Sequence, residues 1–218
     1  MTKIKERAKF VFEKLEHLYP EPKTELENWS TEFQFLVCVM LSAQTTDIQV
    51  NKVTKKLFST YADIESFANA NVLDLEKLIS SINFFKTKAK HLIEASGLLV
   101  SDFNGKVPAV EKDLLRLPGV GKKTANVFLN EIYRANQGIA VDTHVARVAQ
   151  RLELTKFKDP YRISLDLERL YDRENWYKIN SMFVLFGRYI CKAQKPLCNE
   201  CPLNEICKIG RQKKRPAN

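Results

Sequence analysis

The chain has 218 residues, 44% of them hydrophobic, which is enough for one large or two modest soluble domains with a real core. Its 35 Lys and Arg against 26 Asp and Glu leave a formal charge of +9, which favours a polyanionic partner and by itself fits RNA or an acidic membrane equally well. The longest apolar run, Phe35 to Leu41, is too short to span a bilayer, and Met1 to Pro20 has no signal-peptide core, so a cytoplasmic protein is expected.

Helical periodicity dominates the chain. Ile4, Ala8, Val11, Leu15 and Leu18 share one helical face, and the run from Phe35 to Leu41 reads as a helix apolar on every side. Within that run Cys38, between two valines, reads as a buried hydrophobe. Further faces follow at Leu75, Leu78, Ile79 and Ile82, then at Ala89, Leu92 and Ile93. Ala125, Phe128, Leu129 and Ile132 make the next face, followed by Val145, Val148, Ala149 and Leu152, and then by Ile179, Phe183, Phe186 and Ile190. Breaks are expected at Pro20 to Pro22, Gly97, Asp102 to Pro108, Pro118 to Gly121, Asn136 to Gly138 and Asp159-Pro160. The fold class is therefore all-α. The basic tail from Arg211 to Arg215 reads as a solvated segment that can add non-specific attraction to a polyanion.

The most informative stretch is Leu117-Pro118-Gly119-Val120-Gly121-Lys122-Lys123, between a helical segment at Val110 to Leu115 and another at Lys122 to Tyr133. Glycine permits positive φ and close backbone approach. The amides of Gly119, Gly121 and the helix start can then face outward and bind a phosphate diester without reading a base. Lys122 reads as a solvated or phosphate-contacting side chain, and Lys123 stands where an attacking amine could stand.

Downstream, Ile139-Ala140-Val141 delivers Asp142 to the first turn of the helix carrying Val145 and Val148. Asp142 is a good N-cap, and a helix N-terminus favours a carboxylate. Such a group also suits electrostatic stabilisation of a positive sugar. Near the C-terminus Cys191, Cys198, Cys201 and Cys207 crowd into one stretch with a single CxxC pair. Structural zinc usually draws on paired knuckles, whereas one compact loop of four thiolates suits a cubane. On chemistry alone iron-sulfur is favoured over zinc, with unligated cysteines as the remaining reading.

Together, Leu41-Ser42-Ala43-Gln44, Leu117 through Asn126, Ala140-Val141-Asp142-Thr143-His144, Phe186-Gly187-Arg188-Tyr189 and the four cysteines resemble the helix-hairpin-helix DNA glycosylases, and within them the endonuclease III family, over nearly the whole chain. The resemblance implies two all-α lobes with a DNA-binding cleft and a C-terminal iron-sulfur loop. It sets a helical barrel with the hairpin at residues 24–134 and a cluster domain at 1–23 plus 135–218. It also implies a [4Fe-4S] cluster on Cys191, Cys198, Cys201 and Cys207. The function it implies is that of a monomeric bifunctional glycosylase and AP lyase in base excision repair, nucleoid-associated if bacterial. Its partner would be double-stranded DNA with oxidised pyrimidines or abasic sites. Lys123 would attack C1′ and Asp142 would assist. Gly119, Gly121 and Lys122 would hold the backbone, Gln44 would fill the space left by the flipped nucleotide, and Phe84 would be the apolar wedge.

The chain departs from the family at Asn83-Phe84, where glycine-leucine is familiar, and at Asn180-Ser181-Met182-Phe183, where histidine is common. Asn83 is expected to take the positive φ that the glycine would supply. His144 reads as a hydrogen-bonded helix residue. Alternatives are a glycosylase for another lesion or mismatch and a non-catalytic DNA-binding iron-sulfur module. Lys123 with Asp142 argues against both.

Overall fold

The computed structural model describes residues 3–213, and among these no strand occurs. The run Lys214 to Asn218, which holds the end of the basic tail, lies outside the described residues. The chain divides into two compact units, Glu25–Tyr133 and Met1–Thr24 with Arg134–Asn218. The helices in order are α1 (Lys3–Leu18), α2 (Glu32–Ser42), α3 (Asp47–Thr60), α4 (Ile64–Ala68), α5 (Val72–Leu78), α6 (Phe85–Phe103) and α7 (Glu111–Leu114). They continue with α8 (Lys122–Tyr133), α9 (Thr143–Arg151), α10 (Pro160–Leu170), α11 (Trp176–Tyr189) and α12 (Lys208–Lys213).

In the Glu25–Tyr133 unit, α2 is the central helix. Every residue from Phe33 to Leu41 is buried, as an element apolar on all sides must be, and α3, α6 and α8 pack around it. Its start is fixed by Thr31, whose hydroxyl accepts from the Gln34 N–H at 3.2 Å. Cys38 is fully buried in this helix, and burial pushes its thiol up to about 12. The buried Gln34 is satisfied by Ser30 and by the Ala62 carbonyl.

The break expected at Gly97 does not occur, because α6 runs unbroken from Phe85 to Phe103. One glycine in a helix interior costs only about 1 kcal/mol against alanine. The buried face formed by Ala89, Leu92, Ala95, Ser96 and Leu99 offsets that cost. Termination comes instead at Asn104, which adopts left-handed φ 51° and donates its N–H to the Leu99 carbonyl.

The other unit packs α1, α9, α10 and α11 around Val11, Leu15, Val145, Val148, Ile163, Leu167, Phe183 and Phe186. Gly187 is what lets α11 lie close to α9, since a Cβ there would stand 3.0 Å from the His144 Cβ. Cys191, Leu203 and Cys207 belong to the same buried cluster, so the cysteine loop is part of this core.

Candidate functional site

The hairpin forms as expected, with α7 ending at Leu114 and α8 starting at Lys122. Its two glycines do different work. Gly119 turns the chain at φ +81° and lies so near its neighbours that a Cβ would come within 2.9 Å of the His91 Cβ. Gly121 is exposed, has no positive φ, and a Cβ there would meet nothing within 4 Å. Gly119 therefore builds the turn, and Gly121 leaves its outer face open to a closely approaching ligand. The Val120 N–H closes the turn on the Leu117 carbonyl at 3.0 Å, and Ala125 donates back to Gly121 at 3.0 Å. Lys122 and Lys123 are both exposed on the first turn of α8.

Asp142 caps α9. Its Oδ1 accepts from the N–H groups of His144 and Val145 at 2.8 and 2.9 Å, while Oδ2 stands 3.4 Å from His144 Nδ1. The carboxylate is partly exposed rather than fully buried, with a side-chain exposure of 20%. One oxygen is thus committed to the helix, and the other faces the His144 ring. The approach segment is tied down at two successive carbonyls. Asn180 Nδ2 donates to the Ala140 carbonyl at 2.7 Å, and Ser164 donates to the Ile139 carbonyl at 2.7 Å. Asn180 is where the sequence departs from a histidine-bearing pattern, and its use as an anchor for the Asp142 segment was not legible from the motif. Lys123 belongs to the Glu25–Tyr133 unit and Asp142 to the other.

Gln44 and Phe84 are brought together within one unit. Both are exposed and both adopt the left-handed region, at φ 57° and 58°. Such backbone in non-glycine residues is costly and concentrates at functional sites. The expectation that Asn83 takes the positive φ is overturned. Phe84 itself carries it, as the N-cap of α6, with 63% of its surface exposed. The Asn83 side chain instead donates to the Gln44 carbonyl. Phe85 starts α6 and is half-buried.

The four cysteines line one pocket, with Arg151, Ile190, Leu197 and Ile209 in its wall. None of the four is in a disulfide. Burial pushes the Cys191 thiol up against the opposing pull of the Arg151 guanidinium, and burial together with the neighbouring cysteines pushes Cys201 up to about 11. The thiolate form is therefore costly in this apolar pocket unless a cation compensates it. Among the described residues no three His, Cys, Asp or Glu side chains are placed to hold a single metal ion. Four soft sulfur donors lining one apolar pocket fit an iron-sulfur cluster. Arg147 and Arg151 staple this loop to α9 by donating to the carbonyls of Gly187, Cys191, Lys192 and Ala193.

A fold with this hairpin and this cysteine pocket defines a class, and comparison with known proteins identifies it. Residues 37–173 match the HhH-GPD superfamily of base excision DNA repair proteins, and residues 191–207 match the iron-sulfur binding domain of endonuclease III. Endonuclease III of Synechocystis sp. is 43% identical over 207 residues, covering 95% of this chain and 94% of that one. The Bacillus subtilis endonuclease III is 38% identical over 208 residues, with the same coverage of each. A solved structure of a trapped endonuclease III–DNA covalent intermediate shares 36% identity at a TM-score of 0.91, covering 99% of this chain and all of the other. A thermostable thymine-DNA glycosylase, at 22% identity and a TM-score of 0.83, shares the fold.

The chain belongs to the endonuclease III family of HhH-GPD base excision DNA repair glycosylases. It is a DNA glycosylase of this family with a [4Fe-4S] cofactor. Among the described residues no helix is long and apolar enough to cross a membrane.

Proposed function

We propose that the protein is a bifunctional glycosylase and AP lyase that acts as a monomer in the cytoplasm on oxidised pyrimidines and abasic sites in double-stranded DNA. The observation that carries this reading is Lys123, exposed on the first turn of α8 directly behind the open backbone of Gly121. A phosphate held by the amides of that turn brings the sugar of a flipped nucleotide towards the amine. Extrusion costs roughly a few kcal/mol, which a poorly stacked lesion lowers, and selectivity starts there.

In the reaction, the Lys123 nitrogen lone pair forms a bond to C1′ as the C1′–N bond breaks. The departing base keeps that electron pair and takes up a proton. Asp142 stabilises the positive charge that develops on the sugar. Ring opening transfers a proton from nitrogen to O4′ and leaves a Schiff base. Loss of a C2′ proton then expels the 3′ phosphate, which cuts the strand, and water hydrolyses the imine to restore the amine.

Gln44 fills the vacated space in the duplex and Phe84 wedges the stack. Gly119, Gly121 and Lys122 hold the backbone, and Cys191, Cys198, Cys201 and Cys207 ligate the cluster. Residues 24–134 and 1–23 plus 135–218 form the two functional domains. Borohydride trapping on duplexes that each carry one defined lesion tests the reading. A covalent adduct is expected on oxidised pyrimidines and abasic sites, and base release without trapping on any of them would reduce the enzyme to a monofunctional glycosylase.

A further inference from the structure

Two short segments of the Glu25–Tyr133 unit, Leu41 to Thr45 and Asn83 to Lys88, are stitched together by the side chains of Asn83, Thr45 and Lys88. Lys88 Nζ donates to the carbonyls of Leu41 and Ala43 at 2.8 and 2.6 Å and lies 3.4 Å from the Thr45 hydroxyl. From the same segment Asn83 donates its backbone N–H to the Thr45 hydroxyl at 3.3 Å and its side-chain amide to the Gln44 carbonyl. Lys88 thereby satisfies carbonyls at the end of α2 that no further helical turn can take. Its ammonium is half-buried, and burial pulls it down to about 8. Holding a lysine there has a cost that ordinary surface lysines do not carry.

What these bonds fix is specific. Gln44 and Phe84 both sit in left-handed backbone, and both are exposed. Neither conformation is self-sustaining for a non-glycine residue, so the surroundings must over-determine it. Lys88 grips the carbonyl on the N-terminal side of Gln44. Asn83, immediately before Phe84, grips the Gln44 carbonyl itself.

We infer that Asn83 and Lys88 are positioning residues that lock Gln44 and Phe84 into one preformed unit, so that the wedge and the void-filling side chain enter the duplex together. This rests on the functional reading in which those two side chains contact DNA. The Asn83 side chain is what bridges the two loops, a bond that a smaller side chain could not make. Its consequence is a lower ordering cost at the moment of base extrusion.

Stopped-flow fluorescence of duplexes carrying 2-aminopurine beside a lesion reads extrusion directly. Asn83→Ala and Lys88→Met should each slow the fluorescence rise by about tenfold, the loss expected of a hydrogen bond that orders the inserting loop. Lys88→Arg, which keeps the donors, should recover most of the rate. Because Asn83 acts through both inserting side chains, adding Asn83→Ala to the double variant Gln44→Ala/Phe84→Ala should cost no further rate. Trapping on single-stranded DNA with a preformed abasic site needs no extrusion and should distinguish a positioning role from damage to the fold.

Wild-type extrusion by both single variants, a full further loss from Asn83→Ala when Gln44 and Phe84 are already alanine, or an equal loss of single-strand trapping would each overturn the proposal. A wild-type enzyme that traps no abasic DNA at all would strike the functional reading instead. The two failures are therefore separable. The two variants remove bonds from different side chains, so either can carry the test if the other does not fold.

Discussion

Arg151 Nη1 stands 3.4 Å from the sulfur of Cys191, at the opposite end of α9 from its cap, Asp142. A single helix thus carries the proposed charge stabiliser at its start and a guanidinium on a proposed cluster ligand at its finish. Hydrogen bonds to a ligating thiolate are a lever on cluster potential. Arg151→Met should shift the cluster midpoint to more negative potential, because the added electron loses a nearby positive charge. Protein-film voltammetry checks this, and an unchanged potential would make Arg151 only a staple for the loop.

The cysteine assignment is tested by composition. Anaerobically purified protein should hold about four irons and four acid-labile sulfides per chain, the content of one cubane. Because Cys191 and Cys207 lie in the hydrophobic core, Cys198→Ser and chelation of the iron should lower thermal stability together with DNA binding. Stoichiometric zinc without sulfide in protein expressed with ample iron would contradict the assignment.

Asp142 has two roles that substitution can separate. Asn is also a good N-cap, so Asp142→Asn should leave the melting temperature nearly unchanged while slowing base excision on the order of a hundredfold. Asp142→Ala should add a stability loss of about 1 kcal/mol. Excision at the wild-type rate by the Asn variant would reduce Asp142 to a helix cap. Asn180→Ala, which frees the Ala140 carbonyl, should slow excision more mildly than Asp142→Asn.

The two hairpin glycines should fail differently. Gly119→Ala places a Cβ against His91 at φ +81° and should cost about 1–3 kcal/mol of stability, seen as a fall in the unfolding midpoint. Gly121→Ala has room and ordinary backbone, so it should fold normally yet bind duplex DNA more weakly. Normal binding by Gly121→Ala would show that no phosphate approaches there.

Affinity should be built mainly from backbone phosphates, given the net charge of +9. Binding of undamaged duplex should fall with salt at a log-log slope of about −0.9 per phosphate neutralised. Lys122→Ala should make that slope shallower by about one contact and weaken damaged and undamaged duplexes alike. An unchanged slope with a selective loss of lesion discrimination would mean that Lys122 reads the damage.

Much of this was legible in the sequence because helices announce themselves by period and caps by residue type. The α2 run, the hairpin and the Asp142 cap each follow from such local rules. Gly97 misled because a buried helical face outweighs one poor residue. The positive φ expected at Asn83 falls on Phe84, since cross-loop hydrogen bonds decide the backbone there and local propensity does not. Lys88 and Arg151 were invisible for a related reason. Their partners are carbonyls and a thiol far along the chain, and a lysine or arginine in a helix looks the same whether it faces water or a distant carbonyl.

The central claim is that Lys123 is the nucleophile. The most direct measurement is proteolysis and mass spectrometry of the adduct formed when borohydride reduces the enzyme on abasic duplex DNA. The modified peptide should carry the sugar remnant on Lys123, and Lys123→Gln should give no adduct while retaining most of its DNA affinity. A remnant found on Lys122 or on the N-terminal amine, or an adduct formed at the wild-type rate by Lys123→Gln, would contradict the account.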